Sequence, residues 1–237
     1  MISRLRALIS SLSVCKRLLI DYGFYRSVQR GVLTDRDGYI PWFTYPAIEA
    51  LKTWELSDKV VLEYGSGYST LFWATRCRSV ISIEHDKAWF EKIGELMPAN
   101  VDLRLRPLEI YAEVDGAFDV IVIDGYAEKR MRYNCARASL PHLNKGGLVI
   151  VDNSDWLPAT CFWLRQAGLI QVDFSGLVPG NANTQTTSFF FMQEFNFKHH
   201  QTLSPIGGTG YNWEPALEQE LLSSAPALRG HSGCVQK

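Results

Sequence analysis

No stretch of 18 or more apolar residues occurs in the 237-residue chain, so it offers no membrane-spanning helix. Cysteine is sparse. Cys15, Cys77, Cys135, Cys161 and Cys234 are odd in number and scattered, and no Cys-x-x-Cys pair is present. That leaves a zinc ribbon, a thioredoxin-type redox pair and a disulfide framework without support. It fits a reducing compartment, with the cytoplasm as the expected location. Net charge is nearly nil, at −1, which leaves no overall footprint for nucleic acid, and no such partner is expected. Internal repeats are missing as well. What remains, 46% hydrophobic and 21% charged residues, is ordinary for a globular chain long enough to bury one α/β core.

Acids are nearly absent from the first 30 positions, where Asp21 alone stands against Arg4, Arg6, Lys16, Arg17, Arg26 and Arg30. Leu5, Leu8, Ile9 and Leu12 follow helical spacing, so residues 1–40 read as a basic helical extension. A cleavable leader fits poorly, because Ser and Lys interrupt its apolar region and no small-residue cleavage site follows. The expected arrangement is burial of this helix against its own domain or a second subunit, which makes a homo-oligomer one partner expectation. A membrane-surface helix, giving peripheral membrane contact, is the alternative.

Residues 41–196 read as the main domain. Pro46 opens a helix to about Leu56. Strand patterns at 60–63, 80–84, 101–105, 118–124 and 148–151 then alternate with helical ones at 69–76, 87–96 and 130–143. Continuous apolar runs, such as Phe118-Asp-Val-Ile-Val-Ile-Asp124, mark parallel strands covered on both faces. Residues 101–105 alternate apolar and polar, as an edge strand does. A helix over 158–167 leads to a strand at 169–174, a Gly-, Pro- and Asn-rich loop at 175–183, and a strand at 186–192. No helix separates those two strands, so they are expected to pair antiparallel. Residues 197–237 read as a turn-rich tail with a short helix near 215–222.

A complete dinucleotide fingerprint is also missing. Lys59-Val-Val-Leu-Glu-Tyr-Gly-Ser-Gly-Tyr-Ser-Thr70 runs a buried strand into a Gly-rich turn, with Thr70 where the third glycine of GxGxxG belongs. The next strand ends in Val80-Ile-Ser-Ile-Glu84-His-Asp86, which sets Glu84 19 residues after Gly65, in place to bond ribose hydroxyls. Glu63 precedes Gly65 by two residues; a carboxylate there would repel a pyrophosphate and suits a cofactor carrying an ammonium and a sulfonium. A turn that serves only helix–strand packing is the plain alternative. The fourth and fifth strands end in Ile123-Asp124-Gly125 and Val151-Asp152-Asn153. Asp124, Asp152 and Asn153 offer three hard oxygen ligands suited to Mg²⁺ or Ca²⁺. As alternatives, Asp152 and Asn153 cap the following turn and Asp124 touches only the cofactor.

From Lys59 to Glu194 these features resemble the class I S-adenosylmethionine-dependent methyltransferases. The resemblance implies an α/β fold: a doubly wound, Rossmann-like, mostly parallel seven-stranded sheet with the last strand antiparallel and helices on both faces. It implies a cofactor site of Glu63, Tyr64, Gly65, Ser66, Gly67, Tyr68, Ser69, Thr70, Glu84, His85, Asp124 and Gly125. Glu63 and the backbone of 65–67 would face the amino-acid end, Glu84 the ribose, and His85 either the adenine or merely the rim. The Asp…Asp-Asn set is similar to the metal ligands of catechol and caffeoyl-CoA O-methyltransferases, although only Lys129 and Arg130 stand, offset, near the place of their lysine. Trp42-Phe-Thr-Tyr-Pro46, Glu63-Tyr-Gly-Ser-Gly67, Asp124-Gly125, Asp152-Asn-Ser-Asp-Trp156 and Thr186-Thr-Ser-Phe-Phe190 together resemble a bacterial group of small methyltransferases whose substrate is not fixed by these motifs.

The function so implied is methyl transfer from S-adenosylmethionine, with Mg²⁺ as a second candidate cofactor, to a small-molecule oxygen or nitrogen nucleophile. Asp124 and Asp152 are the catalytic candidates, with His142 as a further base away from the strand ends. An aminopropyltransferase, an NAD-dependent enzyme and a non-catalytic cofactor-binding scaffold are the rivals. Trp42, Phe43, Tyr45, Tyr126, Tyr133, Trp156, Tyr211 and Trp213 either pack the fold or line the mouth of the site. Arg130, Arg132 and Arg137 either form a solvated helix face or hold an anionic acceptor.

Overall fold

Alternation along the apolar strands divides their side chains between two cores, and the computed structural model, which describes residues 2–128 and 130–199, shows both. Strands β1 (Val60–Tyr64), β2 (Ser79–Glu84), β3 (Val101–Leu105), β4 (Phe118–Ile123) and β5 (Leu143–Val151) pair in parallel. Beyond them, β7 (Asn181–Phe191) is inserted antiparallel between β5 and β6 (Ile170–Val178). The order is β3-β2-β1-β4-β5-β7-β6, with the alternating strand β3 at an edge as expected.

Val61, Val120, Val122, Leu148, Ile150 and Phe189 face one core, which they share with helices α3 (Tyr45–Leu51) and α4 (Tyr68–Ala74). Leu62, Ile121, Ile123, Val149, Val151 and Phe190 face the other, with α6 (Met131–Ser139) and α7 (Pro158–Gln166). Helix α5 (Lys87–Gly94) packs against β2 and β3 and is capped by the Asp86 carboxylate, which accepts from the Trp89 N–H at 2.9 Å. The core also takes in Ile40 and Phe197, just outside the 41–196 limits. The helix expected near 215–222, with Tyr211, Trp213, Cys234 and Lys129, lies outside the described residues.

Three departures from the expected elements have physical causes. The helix at Pro46 stops at Leu51 because Trp54 turns into an aromatic cluster with Phe189, Phe191, Phe195 and Phe197. Strand β5 starts at Leu143, ahead of its Gly-Gly pair: Gly146 sits at φ 77° where the register against β4 shifts, so the glycines form an irregularity inside the strand. The Gly-, Pro- and Asn-rich loop is mostly ladder. Pairing of β6 with β7 runs out to Val178 and Asn181, leaving only Pro179 and Gly180 as the turn. Pairing satisfies the backbone of Thr184, Gln185 and Thr186 better than an open loop would.

The N-terminal extension forms α1 (Ile2–Lys16), a π-helical turn (Arg17–Asp21) and α2 (Phe24–Arg30). Leu18, Tyr22 and Phe24 pack on the core, but Leu5, Leu8, Ile9 and Leu12 are exposed. The expected burial of this apolar face against its own domain is therefore not met among the described residues. No helix among them is long and apolar enough to cross a membrane.

Candidate functional site

Strand order reverses between β1 and β4, and the carboxyl ends of these strands border a cavity of about 1220 Å³. One wall is the turn from Gly65 to Ser69, continued by Glu84, His85, Asp86 and Trp89. Gly65 has φ 91°, and a Cβ there would come within 2.7 Å of the Gly125 Cα, so this crossing of two strand ends requires glycine. Gly67 is different. Its backbone is extended and a Cβ would meet nothing nearer than the Ser69 Oγ at 4.0 Å. Its bare Cα leaves room in the cavity and is not demanded by packing.

Glu84 is buried and fixed by backbone donors. Its Oε2 accepts from the Ser66 N–H at 3.1 Å, and its Oε1 from the N–H groups of His85 and Asp86 at 2.7 and 2.8 Å. A carboxylate held this way needs no neighbouring cation to stay in place. The Trp89 indole N–H donates to the Ser66 carbonyl at 2.7 Å and braces the same turn. His85 lies at the rim between the rings of Tyr111 and Tyr126, 5.8 and 4.9 Å away.

Three residues expected in the cofactor site stand behind this wall. Glu63, Tyr64 and Thr70 are fully buried and do not line the cavity. The Tyr64 hydroxyl donates to the Ala112 carbonyl at 2.9 Å. The Thr70 hydroxyl accepts from the Gly67 N–H at 2.9 Å and donates to Glu63 Oε2, which also accepts from the Ser82 hydroxyl at 2.7 Å. Glu63 Oε1 has no hydrogen-bond partner. Burial pushes the Glu63 carboxyl up to about 7; the hydroxyls of Ser69, Thr70 and Ser82 oppose the rise and Asp124 adds to it. Ser69 acts there by proximity, without a formed hydrogen bond to Oε1.

The floor is built at the ends of β4 and β5, around Arg132. This side chain is buried, and all five of its N–H donors are used. Nε donates to the Gly125 carbonyl at 2.8 Å. One terminal nitrogen reaches the Asp152 carbonyl at 2.7 Å and Asn153 Oδ1 at 3.1 Å, the other the Asp124 carbonyl at 3.1 Å and Asp124 Oδ1 at 3.2 Å. The Asp152 carboxylate accepts from the Thr187 hydroxyl at 2.6 Å and the Gln185 amide at 3.1 Å. Asp124, Asp152 and Asn153 thus come together as expected, but they do not fit an Mg²⁺ cage. A guanidinium already stands among their oxygens, and the Asp152 oxygens are engaged by β7. Among the described residues no group of three or more His, Cys, Asp and Glu is placed to hold a metal ion.

Burial pushes the Asp124 carboxyl up to about 6, against the pull of Arg132. Asp152 is raised well above the usual carboxylate range by burial and by Asp124, with the Thr187 hydroxyl and Arg132 opposing. The pair therefore competes for charge, and Asp124, with about 20% of its side chain exposed, is the more accessible member. His142 bonds the Gly116 carbonyl at 2.8 Å and takes no part in the cavity. Burial pushes the Cys77 and Cys135 thiols up to about 12, so neither supplies a thiolate.

Of the aromatic residues expected at the mouth, Trp42, Tyr126 and Trp156 line the cavity, while Phe43 and Tyr45 belong to the core and Tyr133 packs on Trp163. Residues 179–181 and 183–185 of the β6–β7 hairpin also line the cavity. Trp89, Gln185 and this hairpin went unread in the sequence. Arg132 was legible only as one of three arginines on a helix; Arg137 lies over the Tyr133 ring instead.

Residues 62–154, which span the glycine turn, Glu84, Asp124 and Asp152, match the family described as a methyltransferase domain. Residues 62–154 of this chain form a methyltransferase domain. No curated protein matches it. Among solved structures, the methyltransferase resembles a precorrin-6y C5,15-methyltransferase from Geobacter metallireducens at 12% identity and a TM-score of 0.53, over 69% of this chain and 92% of that one. At that identity the likeness shows the shared fold. It is also similar to a Staphylococcus aureus protein provisionally named a caffeoyl-CoA O-methyltransferase (20% identity, 56% and 76% coverage, TM-score 0.45). A third is the N-methyltransferase NodS of Bradyrhizobium japonicum in complex with S-adenosylhomocysteine (13%, 57% and 78%, TM-score 0.44).

Proposed function

We propose that the methyltransferase binds S-adenosylmethionine along the Gly65–Ser69 turn and methylates an oxygen or nitrogen nucleophile of a small molecule, with Asp124 as the base. The observation that carries this is the partly exposed Asp124 carboxylate at the switch point, lining the same cavity as a fixed Glu84. Glu84 would accept from ribose hydroxyls, and the open space at Gly67 would admit the ligand close to the backbone. Glu63, buried behind the turn, would act on the cofactor's cationic end through its field and not by contact. When bound, the cofactor supplies an electrophilic methyl group. The chain's own part is to orient the acceptor and take its proton at Asp124. Arg132 keeps Asp124 ionisable near neutral pH and occupies the place an ion would need, so the proposed reaction is independent of Mg²⁺. Trp42, Tyr126 and Trp156 would cover the acceptor and limit water. The free thiols Cys15, Cys77, Cys135 and Cys161 suit work in the reducing cytoplasm.

Calorimetry with S-adenosylhomocysteine tests the cofactor site. Glu84→Ala is expected to weaken binding by about 1–3 kcal/mol, because it removes an acceptor charged and fixed in the cavity wall. Binding should also depend on pH through Glu63. Burial raises its carboxyl to about 7 in the free chain, and a cation bound on the cavity side of the turn favours the charged form. Binding below about pH 7 should then release a proton, and affinity should fall as pH drops from 7. Equal affinity for wild type and Glu84→Ala, or a preference for NAD, sinks the assignment.

A further inference from the structure

We propose that α1 and the π-helical turn after it form a docking surface for an anionic lipid bilayer. Leu5, Leu8, Ile9 and Leu12 are 55–61% exposed, and Leu19, Ile20 and Val28 carry apolar exposure on towards the body. Helical spacing puts the first four on one side of α1. Lys16 extends that stripe, with a stem long enough to lie along it, and Arg4 and Arg6 flank it on opposite sides. An apolar stripe bordered by cations is the pattern of a helix lying in a membrane interface. Leu18, Tyr22 and Phe24 pack on the core, so the surface is tied to the folded body.

Charge selects the occupant. The first 30 residues carry six basic residues and one acid, and the other residues carry 18 basic and 24 acidic. Among the described residues, none of the six basic ones forms an ion pair. Two copies meeting through α1 would bring like charges together, whereas anionic headgroups neutralise them, each basic residue near the surface strengthening partition about fivefold. The acidic remainder would be repelled, leaving α1 as the side that meets the lipid. RNA is the poorer match, since α1 has no aromatic residue on which a base can stack. Ser27 and Val28 of α2 also line the main cavity, so docking would set its mouth beside the bilayer.

Flotation of the full chain with vesicles tests this. Binding is expected to phosphatidylcholine vesicles containing phosphatidylserine, at least about tenfold weaker to phosphatidylcholine alone, and reduced by salt. A Leu8→Glu, Leu12→Glu double variant should lose vesicle binding and keep the wild-type melting temperature, since both side chains are exposed. The proposal is overturned if the full chain ignores both vesicle types. It also fails if light scattering shows a dimer that this variant dissolves, or if the chain binds RNA in preference to the mixed vesicles.

Discussion

Arg132→Met should lower the stability of the folded methyltransferase by about 3–5 kcal/mol, the usual cost of removing one partner from a buried charge cluster. The guanidinium holds three carbonyls and two side-chain oxygens at the ends of β4 and β5, and a thioether replaces none of those bonds. The loss should depend on pH. Asp124 already titrates at about 6 in the folded chain, above its ordinary 3.8, so the folded state binds its proton more tightly than the unfolded state does. Without Arg132 that carboxyl rises further and Asp152 with it. Stability then falls more steeply as pH climbs through and beyond 6, and the deficit should be larger at pH 8 than at pH 5. Arg132→Lys keeps the charge but not the planar fork, and should recover only a minor part. Denaturant melts at the two pH values would show it. Equal stability of wild type and Arg132→Met at pH 8 would remove the guanidinium from the account of this site.

Asp124→Asn should lower kcat by about 10²- to 10⁴-fold, the range for loss of a positioned general base. Its affinity for S-adenosylhomocysteine should change far less, because the amide keeps the shape and one acceptor oxygen. Wild-type kcat should rise with pH through about 6 and then level, as the carboxyl loses its proton. Asp152→Asn should be milder in kcat, since its oxygens are already engaged by Thr187 and Gln185. Excess EDTA should leave turnover intact, because Arg132 stands where an ion would have to bind. Activity abolished by chelator and restored by Mg²⁺ would reject that reading, and a faster Asp124→Asn than Asp152→Asn variant would move the base to Asp152.

Both results depend on contacts that no local pattern announces. Strand existence, the parallel sheet and the final antiparallel pair were legible because burial on both faces requires runs such as Phe118–Ile123, and because a helix is missing between β6 and β7. The glycine turn and Glu84 were legible for a similar reason: one strand–turn–helix unit fixes their separation of 19 residues. Spacing could not say which side of the turn each residue faces. Glu63, Tyr64 and Thr70 lie within the motif yet are buried away from the cavity: Glu63 and Tyr64, adjacent on β1, face opposite sides of a sheet covered on both, and Thr70 faces inward at the start of α4. Arg132 bonds Asp152 and Asn153 across 20 and 21 positions, a distance set by how α6 packs under the strand ends. The sequence by itself thus determined the strands, their mostly parallel pairing with a late antiparallel pair, and the glycine turn, all properties of patterns within single units. Tertiary packing decided that a guanidinium stands among the three oxygen-bearing side chains, that Asp124 is the more accessible carboxylate, and that the apolar face of α1 is left uncovered among the described residues, since each of these depends on which elements meet.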